Sequence, residues 1–196
     1  MSGTRPRQNE LFEPAGYPSG LRYRADFLSA AEEAALLDAI RELPLEEADY
    51  KGWKAKRRVV SYGGRYDFDS NALRPADPIP EFLLPLRARV GAEAGLQEDA
   101  LVQALVAEYR PGVQLGWHRD VPSFEDVVGV SLLGFARMRF RPYPPSGRRR
   151  TVFALELAPR SLYVLRDDAR WRWQHAVSPP KALRYSITFR TLRSAG

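Results

Sequence analysis

Leu101-Val102-Gln103-Ala104-Leu105-Val106-Ala107-Glu108-Tyr109 opens the half of the chain whose texture decides the fold. The run is rich in aliphatic residues that suit a strand, and the turn signal Pro111-Gly112 follows it. The same texture returns at Val127 to Phe140, Thr151 to Leu157, Ser161 to Leu165 and Arg184 to Leu192. Pro142 to Gly147, Pro159 and Pro179-Pro180 separate these runs. Several short strands with regular turn signals predict an antiparallel sandwich or barrel, not a parallel βαβ sheet.

Upstream of Leu101 the pattern is helical. Ser29 stands three residues before Glu32, a capping box, and Ala34 to Ile40 continues with apolar residues at helical spacing until Pro44. A second helix is expected between Pro80 and Gly95, with Phe82, Leu83, Leu86, Val90 and Ala94 on one face. Between the two, Lys51 to Asp77 mixes Trp53, Tyr62, Tyr66 and Phe68 with Lys54, Lys56, Arg57, Arg58 and Arg65, and reads as a short strand or two turning at Gly63-Gly64. Residues 1–20, rich in Pro, Gly and polar groups, are expected to form an irregular arm. The chain thus reads as α+β: one mainly β domain over 21–196, with its strand core at about 100–193 and flanking helices within 27–98.

Composition bounds the chemistry. Among 196 residues there is no cysteine, which excludes disulfides, zinc knuckles, iron–sulfur clusters and thiol nucleophiles. That absence, with no apolar N-terminal run and no stretch long enough to span a bilayer, suits a cytoplasmic protein without membrane association. The net charge of +6 suits an anionic partner such as nucleic acid, and equally a soluble protein with a high isoelectric point.

The two histidines stand in Gly116-Trp117-His118-Arg119-Asp120 and in Trp171-Arg172-Trp173-Gln174-His175. On a strand, residues i and i+2 share a face, so His118 and Asp120 can address one point, to which several strands can return His175. Two imidazoles and a carboxylate form the facial triad of non-haem iron(II) oxygenases and leave coordination positions open for other ligands. A surface His-X-Asp pair, or a core histidine bonded to a carboxylate, writes the same letters.

Arg184-Tyr185-Ser186-Ile187-Thr188-Phe189-Arg190 places Arg184, Ser186, Thr188 and Arg190 on one strand face and Tyr185, Ile187 and Phe189 on the other. A doubly cationic face turned inward calls for an anion, and a dicarboxylate supplies one that guanidinium grips through paired hydrogen bonds. A solvated strand face gives the same alternation; the position just after His175 favours the ligand.

Together, His118-Arg119-Asp120, His175, the terminal RYSITFR, the lead-in Glu108-Tyr109-Arg110-Pro111-Gly112 and Val128-Gly129-Val130-Ser131-Leu132 resemble the AlkB-like family of iron(II)- and 2-oxoglutarate-dependent dioxygenases. The resemblance covers about residues 55–193. It implies a double-stranded β-helix (a jelly roll) with iron(II) held by His118, Asp120 and His175, and with 2-oxoglutarate and dioxygen as co-substrates. By the resemblance, Arg184 binds the distal carboxylate of 2-oxoglutarate with help from Tyr109, while Arg190 lies near the metal-side carboxylate and Asp120. Ala107 and Ser186 stand where the family often carries asparagine; Ser186 still offers a hydrogen bond and Ala107 offers none. The chemistry implied is oxidation of a C–H bond coupled to decarboxylation of 2-oxoglutarate to succinate. On an N-methyl group, the hydroxymethyl product then loses formaldehyde. No separate acid–base residue is implied.

The family acts mainly on alkylated nucleic acid. Lys51 to Phe68 occupies the place of its nucleotide-recognition lid, which makes Arg58, Tyr62 and Tyr66 candidate substrate contacts, on a single strand or a flipped base. Arg137, Arg139 and Arg141 alternate on one strand face and Arg148-Arg149-Arg150 follow; such runs fit a phosphate backbone or plain solvated surface. A protein side chain or small molecule as substrate, and a jelly roll that binds without turnover, are the rival expectations.

Overall fold

In the computed structural model, strand alternation in the last strand organises two antiparallel sheets. The structure describes residues 11, 16–50, 53–67, 70, 72–145 and 153–194. Lys51 and Phe68 of the expected lid, Arg148–Arg150, Thr151 and most of the expected N-terminal arm lie outside the described residues. The larger sheet has the order β1 (Leu21–Arg24), β11 (Ser161–Leu165), β8 (Phe124–Leu132), β13 (Arg184–Leu192), β6 (Leu101–Tyr109), β3 (Trp53–Tyr62) and β2 (Glu46–Tyr50). The smaller runs β10 (Phe153–Leu157), β9 (Ala136–Pro142), β12 (Trp173–Val177) and β7 (Leu115–His118). A ribbon of β4 (Arg65–Asp67) and β5 (Ala72–Arg74) stands apart from both. Facing antiparallel sheets of this kind make the expected jelly roll.

The helices cover the outer face of the larger sheet. In α1 (Ala30–Arg41) the Ser29 hydroxyl accepts from the Glu32 amide at 3.2 Å, and the Glu32 carboxylate accepts from the Ser29 amide at 2.7 Å, closing the capping box. α2 (Leu84–Ala94) ends on Gly95, whose φ of 69° is one that L side chains rarely adopt. Leu36, Leu37, Ile40, Leu83, Leu86 and Val90 pack onto Val106, Val128, Val130, Ile187 and Phe189. Each such side chain, once buried, contributes about 1.5–3 kcal/mol relative to exposure. A second core of Val127, Met138, Phe140, Leu155, Leu157, Tyr163 and Val177 fills the space between the sheets.

Because Tyr185, Ile187 and Phe189 face the helices, Arg184, Ser186, Thr188 and Arg190 must face the smaller sheet. Register puts Arg184 opposite Tyr109, Ser186 between Ala107 and Ser131, and Arg190 opposite Gln103. The polar strand face is therefore roofed by β7, β9 and β12 and closed off from bulk water over much of its length.

Three details differ from the expectation. Val127 to Phe140 is two strands, because the chain turns at Leu133 (φ 68°), whose amide is held at 2.8 Å by the buried Glu33 carboxylate. Trp171 to His175, read only as a histidine context, begins at the last residue of the short helix α3 (Asp167–Trp171) and runs into strand β12. The strand core is also not confined to about 100–193, since β3 hydrogen-bonds to β6 and extends the larger sheet.

Gly129 sits directly beside Tyr163 in the sheet, and a Cβ there would overlap the tyrosine ring. Gly129→Ala should therefore destabilise the fold by about 1–3 kcal/mol through overpacking, read as a lower urea midpoint. An unchanged midpoint would show that Tyr163 moves aside freely.

Candidate active site

Strands β7 and β12 pair with His118 opposite His175, so both imidazoles turn to the inside of the roll with ring centroids 4.2 Å apart. The His118 Nδ1 lies 2.9 Å from the Gly116 carbonyl oxygen. A neutral imidazole donating from Nδ1 leaves Nε2 as its free lone pair. His118 is the last residue of β7, and Asp120 lies in the loop beyond it. The pair thus converges through the turn after the strand, not through strand alternation alone.

Arg190 fixes that carboxylate. Its Nε donates to Asp120 Oδ1 at 2.9 Å and its Nη2 lies 2.8 Å from the same oxygen, while Nη1 donates to Gln103 Oε1 at 2.8 Å. Oδ2 is left facing the imidazoles, 3.5 Å from His175 Nε2. One ligand atom from each of His118, Asp120 and His175 lies within 4.8 Å of the others. Arg170, which is buried, donates from Nη2 to the Val121 and Phe124 carbonyls at 2.7 Å each and so ties down the loop that follows Asp120.

Electrostatics prepare the same three groups. Burial, reinforced by the neighbouring His118, Arg170 and Arg190 against the pull of Asp120, lowers His175 to about 3. Burial likewise lowers His118, against the opposing pull of Asp120. For Asp120, burial acts upward, but Arg190, the two imidazoles and Arg170 outweigh it and hold the carboxyl well below its ordinary range. Two neutral imidazoles and one ionised carboxylate are the protonation states a divalent metal requires.

Farther along β13, Arg184 is 1% exposed and donates from Nε to Ser131 Oγ at 3.0 Å, while its Nη1 has no partner among the described residues. A buried donor left unpaired costs about 1–3 kcal/mol, more when charged. Its guanidinium carbon stands 4.9 Å from the Tyr109 ring centroid, and that of Arg57 stands 6.0 Å away. Burial raises the Tyr109 phenol, but Arg57 and Arg184 outweigh it, with hydrogen bonds from Arg57 and Ser186, and the phenol lies below its ordinary value. Two guanidiniums, a phenol and a hydroxyl converge here with no carboxylate among them. The group fits an anion.

A cavity of about 1020 Å³ joins the two ends, lined by His118, Asp120, His175 and Arg190 at one and by Arg57, Tyr109, Arg184 and Ser186 at the other. Ala107, 2% exposed, lies on the wall between Ser186 and Val59 and offers no side-chain hydrogen bond. Of the three residues expected on the lid, Tyr66 lines this cavity and the other two do not. Arg58 donates to the Leu45 carbonyl and to buried Glu108, and Tyr62 packs into the core under the helices. This corrects the expectation by one residue: β3 pairs Arg58 with Glu108 and Val59 with Ala107, so the odd-numbered side chains face the cavity. Arg57 is the cavity-facing arginine. Single-sequence reading could not fix that register, because both residues are arginine.

Comparison with known proteins agrees with this geometry. Residues 20–190 match the 2OG-Fe(II) oxygenase superfamily. The chain belongs to that superfamily. It is 31% identical over 182 residues to the alkylated DNA repair protein ALKBH8 homolog of Arabidopsis thaliana, covering 81% of this chain and 50% of that protein. It is 29% identical over 177 residues to the tRNA (carboxymethyluridine(34)-5-O)-methyltransferase alkbh8 of Xenopus tropicalis, covering 88% of this chain and 27% of that protein. The chain therefore spans half or less of the length of these two relatives. The solved structure of OsALKBH1 shares the fold, with a TM-score of 0.67 at 17% identity over 89% of this chain and 99% of that one. This dioxygenase is accordingly AlkB-like, and its cofactors are iron(II), 2-oxoglutarate and dioxygen. The donor set fits iron, and the unpaired Arg184 donor beside Tyr109 fits a carboxylate.

Two outcomes follow from the geometry. Arg57→Ala should weaken 2-oxoglutarate binding by about 1.5–3 kcal/mol, roughly ten- to hundred-fold, whereas Arg58→Ala should lower thermal stability and leave that affinity alone. Isothermal titration with 2-oxoglutarate separates them, and equal affinity losses would contradict the assigned register. The second outcome concerns pH. His175 is lowered in the fold, so its contribution is present above about 6.5 and is lost as pH falls from there toward 3. Metal-free protein should lose up to about 1.4 kcal/mol per pH unit below 6.5, seen as a falling urea midpoint that His175→Gln flattens.

Proposed function

We propose that this dioxygenase removes alkyl groups from bases of DNA or RNA by oxidation, releasing succinate, carbon dioxide and formaldehyde. The observation that supports it most is the pairing of two preorganised ends in one cavity: the His118, Asp120 and His175 cluster, and the unpartnered guanidinium donor of Arg184. In this reading the three ligands hold iron(II), and Arg184, Tyr109 and Ser186, with Arg57, grip the distal carboxylate of 2-oxoglutarate. Bound there, iron with 2-oxoglutarate and dioxygen supplies the oxidising power for a C–H bond. The chain's own residues do the rest. Arg190 holds Asp120 by one oxygen and leaves the other for the metal. Arg170 keeps the loop after Asp120 in place, and the apolar wall of Leu115, Met138 and Val177 excludes water from the reacting end.

Nucleic acid is the substrate class favoured by the relatives, one named for alkylated DNA repair and another for a tRNA uridine. The positive charge of +6 supports the same choice. Tyr66 is then the base-side contact on the cavity wall, in place of Arg58 and Tyr62.

The test is succinate and formaldehyde release from 2-oxoglutarate with iron(II), with and without a panel of methylated single-stranded DNA and RNA oligonucleotides. Stimulation by one methylated base, with stoichiometric formaldehyde, is the expected result. Turnover indifferent to every oligonucleotide would move the substrate to a protein or small molecule, and no turnover would leave only a binding role. His118→Ala and Asp120→Ala should each abolish turnover while retaining the folded circular dichroism spectrum; full activity in either removes that residue from the metal shell.

A further inference from the structure

The strand that turns His118 inward turns Trp117 outward. On the outer face of the smaller sheet, the Trp117 ring lies with the guanidinium carbons of Arg139 and Arg141 at 5.1 and 4.5 Å from its centroid. Those arginines are on β9, with β12 between β9 and β7. The ring therefore reaches across β12, where the small Ala176 stands opposite Arg139 and is 0% exposed. Arg141 is held further by a 2.8 Å bond from Nε to Gln174 Oε1. Arg137 continues the row on the same face and is exposed. Toward the cavity, Arg119 lies 3.9 Å from the Tyr143 ring centroid and donates to the Trp171 carbonyl at 2.8 Å. Arg119 also lines the cavity mouth, so the row runs up to the metal-ligand loop.

The charge of this row is not offset by ion-paired carboxylates among the described residues. Arg58, Arg89, Arg160 and Arg166 each have a carboxylate partner. Among the described residues, Arg119, Arg137, Arg139 and Arg141 form no ion pair, although Glu156 stands opposite Arg137 in register. Alternate residues on one strand face lie about 6.6 Å apart, a spacing comparable to successive phosphates of an extended strand. Stacking on Trp117 and Tyr143 holds the guanidiniums in place before any ligand arrives, which lowers the entropy lost on binding. A ring with flanking cations is also what unpaired bases and their phosphates recognise.

We infer that the outer face of the smaller sheet, from Arg137 through Arg139, Arg141 and Trp117 to Arg119, is a docking track for the phosphate backbone of single-stranded nucleic acid. It takes the strand flanking the target base and delivers that base over the β7 edge into the cavity. The choice of nucleic acid as partner rests on the proposed function; the existence of an unpaired cationic track does not.

The variant Arg139→Glu with Arg141→Glu tests it, with Arg139→Lys and Arg141→Lys as the charge-preserving control. Binding of a fluorescein-labelled single-stranded oligodeoxythymidylate is followed by anisotropy across a salt series. We expect the double Glu variant to bind roughly tenfold or more weakly, with the log–log salt slope reduced by about 0.7 for each lost phosphate contact. The Lys control should retain the wild-type slope, and succinate formation without nucleic acid and the thermal midpoint should be unchanged. Equal affinity and slope in the Glu variant would overturn the track. So would equally effective competition by polyglutamate, which would make the face a general polyanion or acidic-protein surface. Wild-type protein that demethylates oligonucleotides while the Glu variant binds them normally sinks the track alone. Wild-type protein that binds through these arginines but never demethylates sinks the proposed function alone.

Discussion

Arg190 gripping Asp120 is the interaction on which the site depends. A carboxylate and two imidazoles placed inside a roll of apolar strands would not settle into a metal-ready state by proximity alone. Burial works against the charge on Asp120, and without a counter-charge it would favour the protonated acid. By bonding and pairing with Oδ1, Arg190 keeps the group ionised and leaves the second oxygen facing the imidazoles. Gln103 in turn holds Arg190 from the neighbouring strand. The metal end of the cavity is thus built from the larger sheet as much as from the smaller one that supplies the histidines.

The opposite end of the same strand obeys a different logic. Arg184 is buried without a carboxylate partner and keeps one donor unmet among the described residues, a deficit that an incoming anion would offset. Six residue steps of strand separate the two arginines, about 20 Å along the backbone, with Ser186 and Thr188 between on the same face. One arginine is satisfied within the protein and fixes a ligand. The other is unsatisfied and awaits one. This asymmetry, not the mere presence of two cations, is what supports placing the co-substrate at the Arg184 end in the proposed function.

How far the sequence made this legible follows from what each signal encodes. The alternation over Arg184–Arg190 is local, so its two faces were readable, and the capping box at Ser29 and Glu32 fixed the first helix for the same reason. The three candidate metal ligands stood out because the residue types are scarce, with only two histidines in the chain. Strand β12 was hidden by its aromatic and polar residues, and the break at Leu133 depends on Glu33, a hundred residues away. Arg57 was missed in favour of Arg58 because the two are chemically identical and only pairing with β6 decides between them. Ser131 and Arg170 carried no local signal either, since their roles are defined by Arg184 and by two carbonyls elsewhere in the chain.

Strand β7 joins these threads. Pairing with β12 sets His118 against His175 on the inside, and the same pleat obliges Trp117 to face outward over Ala176. A strand at the edge of the smaller sheet has no further neighbour there, and its backbone borders the cavity mouth. Whatever crosses that edge therefore meets the arginine row before it meets the metal ligands. A small substrate needs no such approach, because the cavity alone can enclose it. A polymer does need one, since the flanking strand must lie somewhere while a single base is inside. The unpaired, stacked arginines on the outer face are thus what the long, anionic substrate of the proposed function would use, and this connects the chemistry of the cavity to the charge of the surface around it.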